Sequence, residues 1–162
     1  MVFKTVNDFP KALKLLTGTF LIVLSLGFFT GISFVGETTN NSPKGIQENY
    51  LGNETDMDAE VMKFKKTEKE MLNIIHAHIL SMALIFFVLG GLVFLTDTNP
   101  VLKKFLMMEP LLSVLFTFGG IYFMWQGILW MKYVVMVSGL LMTASFALSA
   151  ILVFWGLVRK SK

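Results

Sequence analysis

The stretch LLSVLFTFGGIYFMWQGILWMKYVVMVSGLLMTASFALSAILVFWGLV, residues 111–158, decides the fold class of this chain. It is apolar over about twice the roughly 20 residues that cross a bilayer as one helix, so the chain must fold back within it. The turn is predicted near residues 126–132, where Gly127 accompanies Lys132, the only charged residue of the stretch. We therefore expect two membrane-spanning helices in this part of the chain.

Two further apolar runs, at residues 15–35 and 71–95, indicate two more membrane-spanning helices. Charged residues make up only 15% of the chain, against roughly 25% in soluble domains, and the mean hydropathy is +0.67. The sequence thus predicts an all-α membrane protein that forms one four-transmembrane-helix bundle. The predicted spans are residues 12–35, 68–95, 110–126 and 133–158. The first run exceeds the 7–15 apolar residues of a signal peptide and lacks an A-x-A-like site after Val35, so we expect a retained helix.

The distribution of charge predicts the orientation. Basic residues dominate before the first helix, between the second and third, and after the fourth, which by the positive-inside rule puts both termini in the cytoplasm. The residues on this side are Lys4, Lys11, Lys14, Lys103, Lys104, Arg159, Lys160 and Lys162, against Asp8, Asp97 and Glu109. The opposite side carries six lysines, Lys44, Lys63, Lys65, Lys66, Lys69 and Lys132, against eight acids, Glu37, Glu48, Glu54, Asp56, Asp58, Glu60, Glu68 and Glu70. No charged residue is expected mid-membrane, which argues against a transporter or channel.

The polar segment between the first two spans is predicted to be an ordered outer loop, residues 36–67. Its first part, GETTNNSPKGIQENYLGNETD, is rich in residues typical of irregular structure. Residues 57–66 suggest a short amphipathic helix on the membrane surface. Thr67 and Glu70 then match the T-x-x-E capping box, so the second span should begin near residue 68.

On the cytoplasmic side, residues 100–108 predict a short interfacial helix. Asn99 and Pro100 form a helix-start signal, and apolar residues follow at helical spacing. Pro110 is expected to restart the chain into the third span.

Small residues recur at four-residue spacing in two spans. Gly27 and Gly31 lie in the first, and Gly139, Thr143 and Ala147 lie in the fourth. Such patterns allow helices to approach closely. They indicate either dimerisation or packing within the bundle, and packing is the favoured interpretation.

The segment NIIHAHILSM, residues 73–82, contains His76 and His78, the only histidines of the chain. Both should lie about 5–10 Å below the outer interface, given about 1.5 Å of rise per residue. Two residues apart on a helix, the imidazoles point about 200° apart, so each has its own environment. Cysteine is absent, which excludes thiolate ligands from this chain.

The run from His76 to Met82, followed by Phe86, Phe87 and two glycines, resembles the haem-ligating helix of haem–copper oxidase large subunits. In that family an H-x-H pair sends one imidazole to each of two haems on opposite helix faces. The likeness covers about 16 of the 162 residues. It implies that such a pair on one membrane helix can serve two cofactor faces.

About half of the chain resembles small four-helix bacterial inner-membrane proteins. The shared elements are a G-x-x-x-x-Y-x-G outer loop and an H-x-H near the outer end of the second helix. They correspond to Gly45, Tyr50, Gly52, Glu70, His76 and His78. The resemblance implies a multi-pass protein of the bacterial inner membrane, associated with cytochrome and respiratory systems.

Three interpretations of the histidines remain open. In the first, His76 and His78 bind haem b, because neutral imidazole is a standard axial ligand. The second axial ligand would come from a homodimer, from a partner subunit, or from Met82, Met124, Met131 or Met136. In the second, His76, His78 and Met82 bind copper, since imidazole and thioether suit Cu(I), with Glu68 and Glu70 available to harder ions. In the third, the role is structural: one histidine hydrogen-bonds a backbone carbonyl, Gln126 or Asn73, and the other meets lipid headgroups or a neighbouring subunit.

The sequence therefore predicts a small subunit of a respiratory or redox membrane assembly, with haem b bound by the H-x-H pair near the outer face. The alternatives are a cofactor-free structural or assembly subunit and a copper-binding protein. A histidine together with Tyr122, Trp125 and Trp130 suggests a possible quinone site. The expected partners are the lipid bilayer and a homo-oligomer or larger complex, and no nucleic acid. No nucleophile–base pair indicates an enzyme.

Overall fold

The computed structural model describes residues 5–57, 59 and 61–159, and in that part of the chain it is all-helical. A 3-10 turn, Val6–Asp8, precedes five helices: α1 (Lys11–Thr39), α2 (Pro43–Leu51), α3 (Glu68–Phe94), α4 (Pro100–Trp125) and α5 (Met131–Val158). Four of them, α1, α3, α4 and α5, are long and apolar enough to cross a membrane. The predicted all-α class with four spans is confirmed. Lys4, Asp58, Glu60, Lys160 and Lys162, which entered the charge prediction, lie outside the described residues.

Because four helices cross, the two termini lie at the same end of the bundle. We call this the inner end; it also holds the α3–α4 connection, residues 95–99. The opposite end, the outer end, holds the α4–α5 turn and residues 40–67, which we call the outer cap.

The core of the bundle is formed by α3, α4 and α5. The side chains of α4 alternate between buried and exposed at helical spacing, and its buried face includes Leu106, Val114 and Phe118. Between α4 and α5, Thr117 Oγ1 lies 2.7 Å from Ser138 Oγ. A Cβ at Gly120 would lie 2.9 Å from Val135 Cγ2, so the two helices approach closely at a small residue, as is common in membranes.

Helix α1 is attached to this core along a narrow face. Only Thr17, Leu21 and Thr39 are buried in it, and its main anchor is Phe28, whose ring stacks at 3.8 Å on that of Phe146 in α5. The predicted packing role of the first small-residue pattern is wrong for this chain, because an added Cβ at Gly27 or Gly31 meets nothing within 4 Å. The anchoring face of α1 is the face of Phe28 instead.

Helix α4 is continuous where two elements were predicted. Residues 100–108 and the third span form one helix, Pro100–Trp125, with Pro110 buried inside it. The proline removes one hydrogen bond, from its own position to the carbonyl of Leu106. A full break inside the bilayer would leave more backbone groups without partners, so the helix continues through the proline. One consequence is that Glu109 lies within a membrane-spanning helix.

The outer cap also differs from the prediction. Helix α1 extends to Thr39, and a nine-residue helix, α2, forms where irregular structure was expected. Ser42 accounts for α2: its hydroxyl accepts from the amide of Gly45 at 3.0 Å, and proline follows at the first helical position.

The predicted amphipathic helix at residues 57–66 does not form among the residues described there. The backbone amides of this segment pair with α2 and with the residues just after it. The amide of Lys66 donates to the carbonyl of Tyr50 at 3.1 Å, and that of Lys63 to Asn53 Oδ1 at 2.6 Å. Donors committed to these distant acceptors cannot also form the hydrogen bonds of a helix. Asp58 and Glu60 lie outside the described residues.

At two positions of the outer cap, a side chain larger than that of glycine would not fit or would strain the backbone. A Cβ at Gly45 would lie 2.5 Å from the carbonyl carbon of Thr39 and closer still to its oxygen. Gly52 has φ +81°, a conformation that L side chains rarely adopt. Both therefore allow α2 to fold back against the end of α1 and against residue 65.

Candidate functional site

His78 lies on a flank of α3, beside α4. Its Nδ1 is 2.7 Å from the backbone carbonyl oxygen of Ile74, one turn earlier. Its ring is 4.9 Å from that of Phe118, tilted by 32°. A carbonyl oxygen can only accept, so Nδ1 carries the hydrogen, and in the neutral imidazole Nε2 holds the lone pair. In metal proteins, a carbonyl that accepts from one ring nitrogen in this way orients the histidine whose other nitrogen binds the metal.

His76 occupies a different environment on the same helix. Its side chain is exposed, as are those of Asn73 and Leu80, which share that side of α3. No hydrogen bond from its ring to the described part of the chain is found. The two imidazoles therefore do not meet at one point, in agreement with their spacing, and neither faces the core.

The methionines proposed as second axial ligands contact the hydrophobic core. Met124 is fully buried, and Met82, Met131 and Met136 pack against the same hydrophobic cluster. The candidate carboxylate Glu70 is also occupied: it accepts from the amide of Thr67 at 2.7 Å and from its hydroxyl at 2.8 Å. Within residues 5–57, 59 and 61–159, no group of three or more His, Cys, Asp or Glu side chains is placed to hold a metal ion.

Of the three aromatic groups suggested for a quinone, Trp125 holds the outer cap to the bundle. The indole N–H of Trp125 donates to the carbonyl of Lys66 at 2.8 Å, and the hydroxyl of Tyr122 accepts from Gln126 at 3.1 Å. Trp130 is exposed. The Trp125 indole thus connects α4 to the segment that precedes α3, whereas Gln126 donates within the end of α4 itself.

Two side chains of the outer cap, Lys44 and Tyr50, have raised pKa values. Lys44 lies 3.4 Å from Glu48 and 3.2 Å from Asp56, and its hydrogen bonds to Asp56 and Glu48 raise the pKa of its ammonium group. Burial raises the pKa of the Tyr50 phenol above 10.0, partly opposed by a hydrogen bond with Asn49. The Tyr50 ring therefore favours its neutral form, as expected of a side chain that closes the cap.

One ionisable residue that the sequence did not mark as a site, Glu109, lies inside a helix long enough to span the membrane. Glu109 was grouped with the cytoplasmic charges, but it is the tenth residue of α4 and lies on a partly buried position. Its Oε1 accepts from the hydroxyl of Ser113. The signal that could have located it is the i, i+4 spacing of Glu109 and Ser113 across a proline that membrane helices tolerate.

The fold defines a class: a small, multi-pass integral membrane protein whose four spanning helices contact the lipid bilayer. A family model described as a transmembrane helical domain matches residues 40–162, which include α2 to α5. The chain belongs to this family of transmembrane helical domains. No curated protein and no solved structure matches the chain significantly.

Proposed function

We propose that the protein is a small subunit of a respiratory or redox assembly in a bacterial inner membrane, and that its H-x-H pair binds haem b near the outer end. The observation that supports this most directly is the geometry of His78. Its Nδ1 is fixed by the Ile74 carbonyl at 2.7 Å, so Nε2 is left with its lone pair on the surface of the helix.

The surroundings of His78 suit a porphyrin edge. The Phe118 ring lies beside the imidazole, and the positions that follow His78 on the same side of α3 are apolar and partly buried, as at Met82 and Ile85. Bound haem supplies one-electron transfer, with the axial imidazole and the surroundings setting its potential. The chain orients the imidazole through Ile74 and shields one edge of it with Phe118.

The second axial ligand in this proposal comes from another chain. Both imidazoles lie on the outside of the bundle, and the methionines considered for the role pack in the core. A haem bound to His78 would therefore lie between this protein and a neighbour, with His76 available to a second group on another side of α3. The predicted homo-oligomer or larger complex is then part of the site.

The test is the absorption spectrum of the protein purified in mild detergent, recorded with and without dithionite, together with its iron and copper content. We expect a Soret band that is lost in His78→Ala and weakened or lost in His76→Ala. Asn73→Ala is the matched control, because Asn73 is an exposed polar residue of the same helix end; it should keep the spectrum. Copper at one equivalent without haem would replace the haem proposal by the copper alternative.

The second candidate is a cofactor-free structural or assembly subunit. The observation that favours it is α1, which buries only three residues and leaves Gly27 and Gly31 open to a neighbouring helix. On this proposal α1 packs against a larger membrane partner. A colourless, metal-free preparation that keeps its complex would support it and contradict the haem proposal, and Gly27→Leu should then release the partner.

A further inference from the structure

Glu109 of α4 has a carboxylate oxygen with no partner. Among the described residues, its Oε2 is the only buried side-chain nitrogen or oxygen that makes no hydrogen bond. Its other oxygen accepts from Ser113 on the next turn. Buried polar groups are nearly always hydrogen-bonded in native proteins, so this exception needs a physical explanation.

The residue lies at some depth along the span. At about 1.5 Å per residue, Glu109 is about 14 Å from Pro100 and about 8 Å beyond Lys104, the last basic residue of α4. Helix α4 is 26 residues long, or about 39 Å, which exceeds the roughly 30 Å of the hydrocarbon core. Glu109 therefore falls within the inner half of the bilayer.

The neighbouring helices offer no charge that would neutralise it. In the sequence, α5 has no charged residue between Lys132 and Arg159, and α1 has none between Lys14 and Glu37. Helix α3 carries only the two histidines between Glu70 and its end, and both are at its outer end. On α4 itself, the Lys103 ammonium is turned to the inner end, where it donates to the carbonyls of Phe94 at 3.0 Å and Thr96 at 2.6 Å. Lys104 is exposed.

An ionised carboxylate in these surroundings is costly. Ionisable groups within membrane spans are costly and mark ion or proton pathways in many proteins. A proton on Oε2, or a small cation bound to it, removes the cost. We propose that Glu109, together with the hydroxyl of Ser113, is a binding site for a small monovalent cation, either a proton or Na⁺. This inference does not depend on the haem proposal.

Helix α5 provides buried hydroxyls near the same level. Thr117 of α4 contacts Ser138 of α5 at 2.7 Å, and the two helices are antiparallel. Glu109 precedes Thr117 by eight residues on α4. Because the helices are antiparallel, the residue of α5 at the same level is eight residues after Ser138, which is next to Ser145. Ser145 and Ser149 are buried and follow Ser138 at seven and eleven residues, so all three lie on the face toward α4.

The hydroxyls lead toward the inner end. There a cavity of about 410 Å³ opens between the N-terminal turn, the α3–α4 connection and the end of α5. Its lining includes the charged Asp97 and Arg159, and Leu152 forms its deepest part along α5. Ser149 lies one turn of α5 beyond Leu152 in the direction of Glu109. The cavity lining does not include Glu109 or Ser113, so a cation that exchanged with this end would have to pass the Ser149 and Leu152 levels of α5.

The experiment is a protonation measurement on the full chain in detergent or liposomes. Infrared difference spectra of the wild type minus Glu109→Gln, recorded over a pH series, isolate the carboxylic-acid carbonyl band of Glu109. In parallel, the hydrophobic carbodiimide dicyclohexylcarbodiimide, which reacts with protonated membrane carboxyls, is quantified on the Glu109 peptide by mass spectrometry. Each series is run in NaCl and in KCl at equal ionic strength, and Ser113→Ala is included.

For a proton site we expect the acid band and the labelling in spectra and samples taken at neutral pH, alike in NaCl and KCl. For a Na⁺ site, NaCl but not KCl should suppress both, and Ser113→Ala should weaken the suppression. The proposal is overturned if Glu109 gives only a carboxylate band at neutral pH and that band is the same in NaCl and KCl. Because the infrared band does not depend on reagent access, an absence of labelling alone does not decide the matter.

Discussion

Replacing Gly45 by alanine should open the outer cap without unfolding the bundle. The added Cβ would lie 2.5 Å from the carbonyl carbon of Thr39 and 3.0 Å from Ser42 Oγ. Overpacking costs about 1–3 kcal/mol where neighbouring side chains can move. Here the obstacle is backbone, and so we expect the upper end, about 3 kcal/mol. Since 1.4 kcal/mol is a factor of ten, the open population of the cap should rise about a hundredfold.

Hydrogen–deuterium exchange measures this opening directly. The reporters are the amides of Ile46, Asn53 and Lys66, which donate within the cap to Ser42, Lys63 and Tyr50. Their protection should fall about a hundredfold, while amides of α4 and α5 keep theirs. The matched control is Gly91→Ala in α3, where an added Cβ meets nothing within 4 Å and helix propensity gains up to about 1 kcal/mol. Unchanged exchange of the cap in Gly45→Ala would refute the steric argument.

Three further predictions concern contacts that hold the elements together. Trp125→Phe removes the 2.8 Å hydrogen bond to Lys66. Such a bond is worth about 1 kcal/mol, so hydrogen exchange of the cap amides should rise about fivefold. Trp130→Phe, at an exposed indole, should leave that exchange unchanged, and equal effects of the two variants would contradict the role given to Trp125. Phe28→Ala removes ring contacts to Phe146 and Phe86. Each contact is worth about 0.5–1.5 kcal/mol, so the stability measured by thermal unfolding in detergent should fall by about 1–3 kcal/mol. The control Phe34→Ala should lower it by much less. The pKa of Tyr50 is raised in the folded cap. Its contribution to the stability of the cap is therefore complete below the ordinary tyrosine pKa and is lost as the pH rises through the pKa of the folded state. Hydrogen exchange of the cap amides should increase at alkaline pH for this reason, and Tyr50→Phe should remove that part of the pH dependence.

The membrane class and the number of spans followed from hydropathy, because a helix in lipid needs only length and apolar side chains. Because every span is apolar on all sides, the sequence did not show which face of each helix packs against its neighbours. Apolar helices carry no polar face that marks the lipid side, so periodicity did not reveal that Phe28, rather than the Gly27 and Gly31 pattern, anchors α1. Proline is a helix breaker by the rules for water, and for that reason the continuity of α4 through Pro110 was not predicted.

The outer cap was the least predictable part of the fold. Its segments pair over ten or more residues, as between Asn53 and Lys63, and local propensity does not encode such contacts. The capping box at Thr67 and Glu70 is a local pattern, and the structure has it as predicted.

In the candidate site, too, features set by local helical spacing were predicted, and features that depend on packing between helices were not. The helical spacing of His76 and His78 correctly indicated two separate environments. The hydrogen bond from His78 to Ile74 lies within α3. The contact of His78 with Phe118 and the exposure of both rings depend on how α3 packs against α4, and the sequence alone did not show them. Glu109 was missed because its membrane depth depends on the continuity of α4.

The most direct test of the central proposal is the haem content of the wild-type protein, purified in mild detergent from haem-replete membranes and extracted for quantification against the chain. The proposal predicts haem b in stoichiometric ratio to the chain or its dimer, lost in His78→Ala and kept in Asn73→Ala. A folded, helical preparation without haem, still bound to its partners, would contradict it.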